Sequence, residues 1–249
     1  MIDITREDGV ALVRLAKSVT NPIDLTLTTA LHDAVRELRD DPDVTGVVLG
    51  SGNEKFFSIG FDIPSLFPLD RPQFAGFFRA FNRMFLDLYT LPKPVVCALT
   101  GHAIAGGCVL ALGADYRIVA EGRRLIGLNE VKLGVPVPYA ADCAVRASVV
   151  PRHAKAVLED GEFHAPDAAL DMGLVDEVRS ADEVWPAAEE RAARLGATSG
   201  GAYRIIKANR VDPVLAEIEL RLDAREEAFL DCWFAPDTRA KLEAAIENF

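Results

Sequence analysis

Cysteine is scarce, at four in 249 residues, and Cys97, Cys108, Cys143 and Cys232 show no CxxC spacing. That excludes a disulfide scaffold or dithiol redox motif and predicts buried free thiols in a reducing compartment. Histidine is equally sparse. His32, His102, His153 and His164 are scattered, with no HExxH, so no protein-ligated metal is expected. Basic residues are in deficit, 27 Lys and Arg against 38 Asp and Glu, for a formal charge of -11. Phosphate backbones and anionic membranes demand a basic face, so neither nucleic acid nor membrane is an expected partner. One local basic patch for a small phosphorylated ligand stays open. No run approaches the roughly 18 consecutive apolar residues of a membrane span. The opening Met1-Ile2-Asp3-Ile4 carries no secretory pattern, and Glu247-Asn248-Phe249 is unlike a Ser-Lys-Leu peroxisomal address. The expected location is cytoplasmic.

What is present is a globular profile, 50% hydrophobic and 26% charged, long enough for one substantial core and a small helical appendage. Strand-like stretches at Ile2–Ile4 and Val10–Leu15 flank a turn-rich Arg6-Glu7-Asp8-Gly9. After Asn21-Pro22, Asp24 can cap a helix with Leu27, Leu31, Ala34, Val35 and Leu38 on one face. Apolar strands follow at Val44–Leu49, Pro94–Leu99, Tyr116–Val119 and Leu125–Gly127. A phenylalanine-rich helix spans Pro72–Thr90, and a Gly/Ala-rich one Gly107–Gly113. Beyond Pro151 the pattern turns helical, with Asp182–Leu195, Asp212–Leu230 and a last helix from Pro236. The fold class is α/β, with a C-terminal helical region.

Two strand-to-turn junctions put small-residue backbone where main-chain N–H groups can face a ligand. One runs from Gly52 to Asp62, the other from Thr100 to Cys108. The second also opens a helix, whose first N–H groups favour negative charge. A third segment, Leu125 to Pro136, embeds Glu130 in apolar sequence. A carboxyl there is raised in pKa by burial and suited to carry a proton near neutral pH; the alternatives are an exposed Glu130 on an alternating strand, or one paired with Lys132. His102 and Cys108 sit in the second junction without an activating partner and read as packing residues.

In order and spacing these segments resemble the crotonase (enoyl-CoA hydratase/isomerase) family. Phe57-Ser58-Ile59-Gly60-Phe61-Asp62 is similar to its F-S-x-G-x-D segment. Lys93-Pro94-Val95-Val96, Gly101 and Ala105-Gly106-Gly107-Cys108 follow its K-P…G-G-G-C segment, with Ala105 at the first glycine. Asp115–Ile118, Asn129–Gly134 and Ala165–Val178 continue the likeness. Pro138–Asp142 departs from the usual G-A-G-G-T.

The resemblance implies a crotonase-like (ββα)-repeat spiral core over 1–190 and a C-terminal helical trimerisation region over 191–249. It implies an oxyanion hole from the N–H groups of Phe61 and Gly106, a catalytic Glu130, and substrate-binding Ser58, Ile59, Gly60, Asp62, Gly107 and Val109. The family's hydratases carry a first glutamate where Val109 stands here. A single glutamate resembles the Δ3,Δ2-enoyl-CoA isomerases, so the implied activity is isomerisation of 3-enoyl-CoA to 2-trans-enoyl-CoA. No cofactor is implied, because CoA is part of the substrate; the implied assembly is a homotrimer or hexamer. The C-terminal segment around Phe234 and Lys241 is implied to pack near CoA, and rings from Phe74 to Phe85 to border the acyl pocket. The alternatives are another crotonase-type reaction (hydrolysis, decarboxylation or weak hydration) and a non-catalytic acyl-CoA-binding protein.

Overall fold

The computed structural model describes residues 1–198 and 201–247. The C-terminal reading at Asn248-Phe249 and part of the 191–249 region lie outside those residues. The chain opens as an antiparallel hairpin, β1 (Ile2–Glu7) and β2 (Val10–Leu15), turning at Asp8-Gly9, both at positive φ. α1 (Leu25–Asp40) follows, and the Asp24 side chain accepts from Leu27 N–H at 2.8 Å as its cap.

From there to β8, successive strands go to alternate sheets. β3 (Gly46–Ser51), β5 (Val95–Leu99), β7 (Tyr116–Ala120) and β10 (Glu177–Arg179) extend a six-stranded sheet ordered β1-β2-β3-β5-β7-β10, parallel beyond the hairpin. β4 (Phe56–Ser58), β6 (His102–Ile104), β8 (Ile126–Gly127) and β9 (Phe163–His164) form a second sheet in that order. Each pair of strands leads into helix. After β4 come α2 (Ile63–Leu66) and α3 (Arg71–Tyr89), after β6 α4 (Gly106–Leu112), and after β8 α5 (Glu130–Leu133). This is a ββα spiral, and the 52–62 and 100–108 junctions are its strand-to-strand corners. Of the second sheet the sequence pattern marked only β8, as Leu125–Gly127; it missed β4, β6 and β9 because strands of two or three residues carry no periodicity.

Alternation along the large sheet feeds two cores. Val13, Leu49, Cys97 and Val119 pack with α1 and α3, whereas Leu12, Val48, Val96 and Ile118 pack under α9 (Val184–Gly196). A division at residue 190 therefore falls inside a helix whose Ala188 and Ala192 sit on the same sheet face. α6 (Tyr139–Ser148), α7 (Pro151–Glu159) and α8 (Pro166–Met172) lie between α5 and α9 in sequence.

α10 (Ala202–Trp233) starts ten residues before the expected Asp212 and runs through Pro213. Its early turns are held by charge. Lys207 Nζ donates to Asp115 Oδ2 at 2.7 Å and to Lys93 O at 3.1 Å, and Arg210 pairs with the same carboxylate. Burial holds the Lys207 pKa below its ordinary value. Removing one member of a buried pair strands the other charge, so Asp115→Ala should cost about 3–5 kcal/mol in urea denaturation. A loss under about 1 kcal/mol would mean that the pair contributes little. α11 (Pro236–Ile246) ends the described chain. Among the described residues, no helix is long and apolar enough to cross a membrane.

Candidate active site

The two spiral corners meet across glycines. A Cβ at Gly60, whose φ is +94°, would stand 2.8 Å from Gly106 N, and one at Gly106 would stand 3.3 Å from Phe61 N. The backbone amides of Phe61 and Gly106 are therefore neighbours. Around Phe61 every other amide is occupied: Ile59 N–H donates to Thr20 O, Gly60 N–H to Ser58 Oγ, Asp62 N–H to Ile23 O and Ile63 N–H to Phe61 O. Phe61 N–H has no partner among the described residues. Gly106 is the first residue of α4 and has no ladder partner either, because helix geometry supplies none there. Ala105, just before it, is held at φ 48°, ψ -129°, a region that side chains avoid. Its N–H donates to Gly127 O at 2.9 Å, which fixes the corner.

Both amides border a cavity of about 530 Å³. The strand side is lined by Thr20, Lys55, Phe56, Ile59 and Ile104, and the helical side by Ile63, Leu133, Val135, Phe229, Trp233 and Ala245. Phe61, Gly106, Asn129 and Glu130 also line it. α11 closes the helical side, with Thr238 Oγ1 donating to Gly134 O at 3.1 Å and Arg239 Nη2 to Phe67 O at 2.7 Å.

Glu130 opens α5 and is only 7% exposed. Its Oε2 is buried with no hydrogen-bond partner. Burial pushes its pKa up to about 7, against the opposing pull of its own N–H and that of Asn129. Lys132 does not neutralise it; that ammonium pairs with Glu162 at 2.7 Å. Glu130 is the one carboxylate among the cavity-lining residues.

Of the residues singled out from sequence, Glu130, Phe61, Gly106 and Ile59 converge on the cavity. Ser58, Gly60, Asp62, Gly107 and Val109 are not among the lining residues. The Ser58 hydroxyl donates to Asn21 O at 2.8 Å and accepts from Gly60 N–H, so it is used inside the protein. Asp62 caps α2 and pairs with Lys17. A Cβ at Gly107 would fall 2.2 Å from Ser58 O, so this glycine exists for close approach. Val109 is buried in the core. The α3 rings stand one layer back, with Phe77 and Phe81 edge-on to Phe61. Phe234 packs against Phe74, outside the lining, and Lys241 is exposed. His102 accepts from Leu125 N–H, and the buried Cys108 thiol is pushed up to about 12.

Sequence reasoning missed Asn21. Its Nδ2 donates to Ser51 Oγ at 2.9 Å and Phe57 O at 3.1 Å, while its Oδ1 accepts from Lys17 and Ser18 N–H. It ties the first corner to the hairpin loop, and its only signal was a turn-forming Asn-Pro pair. Phe229 and Trp233 were missed as lining because helical spacing alone marks them as core.

Two free amides and a buried carboxyl, brought to one cavity by the corners of a ββα spiral, are the layout of the crotonase fold. The chain belongs to the enoyl-CoA hydratase/isomerase family, whose model matches residues 5–241, and is an acyl-CoA enzyme of that kind. It is 30% identical over 241 residues to human mitochondrial enoyl-CoA delta isomerase 1, covering 96% of this chain and 80% of the human protein. It is 26% identical over 248 residues to a crotonyl-CoA hydratase of Syntrophomonas wolfei, covering 99% and 95%. The crystal structure of human mitochondrial delta3-delta2-enoyl-CoA isomerase superposes with a TM-score of 0.95 at 28% identity, over 99% of this chain and 97% of that one.

Proposed function

We propose that this enzyme isomerises 3-enoyl-CoA to 2-trans-enoyl-CoA. The observation that carries the reading is the solitary carboxyl in the cavity. Hydration needs one group to deprotonate water and another to protonate carbon, and Val109, buried in the core, can do neither. Moving a double bond needs only one group that takes a proton and returns it elsewhere.

In this reading the thioester oxygen accepts hydrogen bonds from Phe61 and Gly106 N–H. The Glu130 carboxylate removes a C2 proton. The C2–H electron pair forms the C2–C3 double bond, the former C3–C4 π pair moves to C4, and Glu130 returns its proton there. Negative charge on the thioester oxygen is greatest between the two transfers, where each preorganised donor is worth roughly 3 kcal/mol. Lys55 and Thr20 on the strand side suit the phosphorylated end of CoA, and the apolar helical side suits the acyl chain. CoA itself is substrate, and the reaction draws on no further cofactor.

Two measurements test this. Chromatography of a 3-hexenoyl-CoA reaction should give 2-trans-hexenoyl-CoA as first product; 3-hydroxyhexanoyl-CoA in its place would assign hydration. In the pH profile, Glu130 must begin ionised, so kcat/KM should rise with pH through about 7 and then level. A profile flat from pH 5 to 8 would exclude Glu130 as the base.

A further inference from the structure

The helical side of the cavity includes an aromatic wall that is closely packed from behind. Phe229 and Trp233 stand one turn apart on α10 and both line the cavity. Trp233 lies on Phe74 at a centroid distance of 4.1 Å, and Phe229 on Phe78 at 4.0 Å, each pair within 20° of parallel. Phe74 and Phe78 are themselves stacked at 6.2 Å. All four rings are at most 2% exposed, and a ring stacked on its neighbour in a close-packed core has few other rotamers to enter.

The two helices that carry these rings are also bound together. Asn82 Nδ2 donates to Glu226 Oε1 at 2.8 Å inside, and outside Arg71 pairs with Asp231 at 2.7 Å and Arg79 with Glu227 at 3.0 Å. Separating α3 from α10 to lengthen the cavity would break a buried polar contact and several ion pairs together. About 530 Å³ must hold the thioester, the inner end of the CoA arm and the acyl chain.

We propose that the Phe229–Trp233 wall limits acyl length, so that this enzyme takes short- and medium-chain acyl-CoAs and excludes long ones. The proposal rests on the orientation just assigned, with the thioester at Phe61 and Gly106 and the acyl chain toward α10. It does not depend on which reaction Glu130 performs.

Calorimetric titration with saturated butyryl-, hexanoyl-, octanoyl- and dodecanoyl-CoA tests it. These ligands have no double bond to move, so failure of the isomerase reading leaves the result interpretable. Each methylene buried should tighten binding about fourfold until the wall is met, and dodecanoyl-CoA should bind no tighter than octanoyl-CoA. Trp233→Leu should improve dodecanoyl-CoA relative to hexanoyl-CoA by about tenfold, the space of one or two methylenes. A merely structural role would weaken both ligands alike. Phe229→Leu serves if the tryptophan variant does not fold, as judged by circular dichroism. Affinity that climbs steadily to dodecanoyl-CoA in the wild type, or an unchanged ratio in a folded variant, overturns the proposal.

Discussion

Glu130→Gln is expected to lower kcat for 3-hexenoyl-CoA by roughly 10²–10⁴-fold, the contribution of a positioned proton-transfer group, while leaving acyl-CoA binding nearly intact. Glutamine keeps the shape and cannot hold the proton. The same change should stabilise the fold at high pH. The Glu130 carboxyl rises from an ordinary 4.5 to about 7 on folding. Below about pH 4.5 it is protonated in both the folded and unfolded chain, and its burial carries no charge penalty. Above about pH 7 the folded chain must hold it ionised without water, which withholds about 3 kcal/mol from stability. Glutamine never incurs that penalty. Urea denaturation at pH 8 should therefore show the variant more stable by up to about 3 kcal/mol, with the advantage shrinking toward pH 5. A variant that turns over normally would remove Glu130 from the chemistry. One that is less stable at pH 8 would show that its carboxylate is better solvated than the burial of Oε2 indicates.

The second large effect is expected at Gly60, which touches no reacting atom in the proposed mechanism. Gly60→Ala would put a Cβ 2.8 Å from Gly106 N and 2.9 Å from the Ala105 Cβ, at a φ of +94° that alanine resists. The two corners must separate or the Gly106 amide must turn. Either outcome spoils one of two donors, a loss of about 10²–10³ in kcat in comparable sites. Gly76→Ala is the control. Gly76 lies inside α3 with nothing within 4 Å of an added Cβ, so alanine there should add about 0.5–1 kcal/mol of stability and leave turnover unchanged. Equal kinetics in the two variants would mean that the closeness of the corners is not what supports turnover.

Much of this was legible in the chain because its determinants are local. Asp24 before a helical stripe fixed the start of α1, and apolar runs ending in glycine located the corners. Glu130 in apolar surroundings suggested a buried acid, and the burial holds because Lys132, the nearby cation, pairs with Glu162 instead. The rest depends on pairings between distant residues. Ser58 and Gly107 carry the expected motif, yet Ser58 is spent on Asn21 and Gly107 is needed where Ser58 O approaches it. The sequence pattern put the helix start at Asp212, but the Asp115 carboxylate, 92 residues before Lys207, holds the preceding turns helical. The Phe74–Phe85 rings were expected at the pocket from the family resemblance, while their helical stripe marks them as core. They stand behind it because α10 supplies the inner layer, a fact of tertiary packing.

That inner layer divides the cavity by order of synthesis. Phe61, Gly106 and Glu130 lie in the first 130 residues, whereas Phe229, Trp233 and Ala245 lie in the last 21. Domains form from the amino-terminal side as a chain emerges from the ribosome, so the reacting groups precede the Phe229–Trp233 wall. Until α10 docks, the nascent core presents its apolar cleft and α3 stack uncovered, the stage at which a chaperone has most to bind. The same separation gives evolution two independent handles, since α10 and α11 can be rewritten to change the acyl group while the corners that perform the chemistry stay as they are.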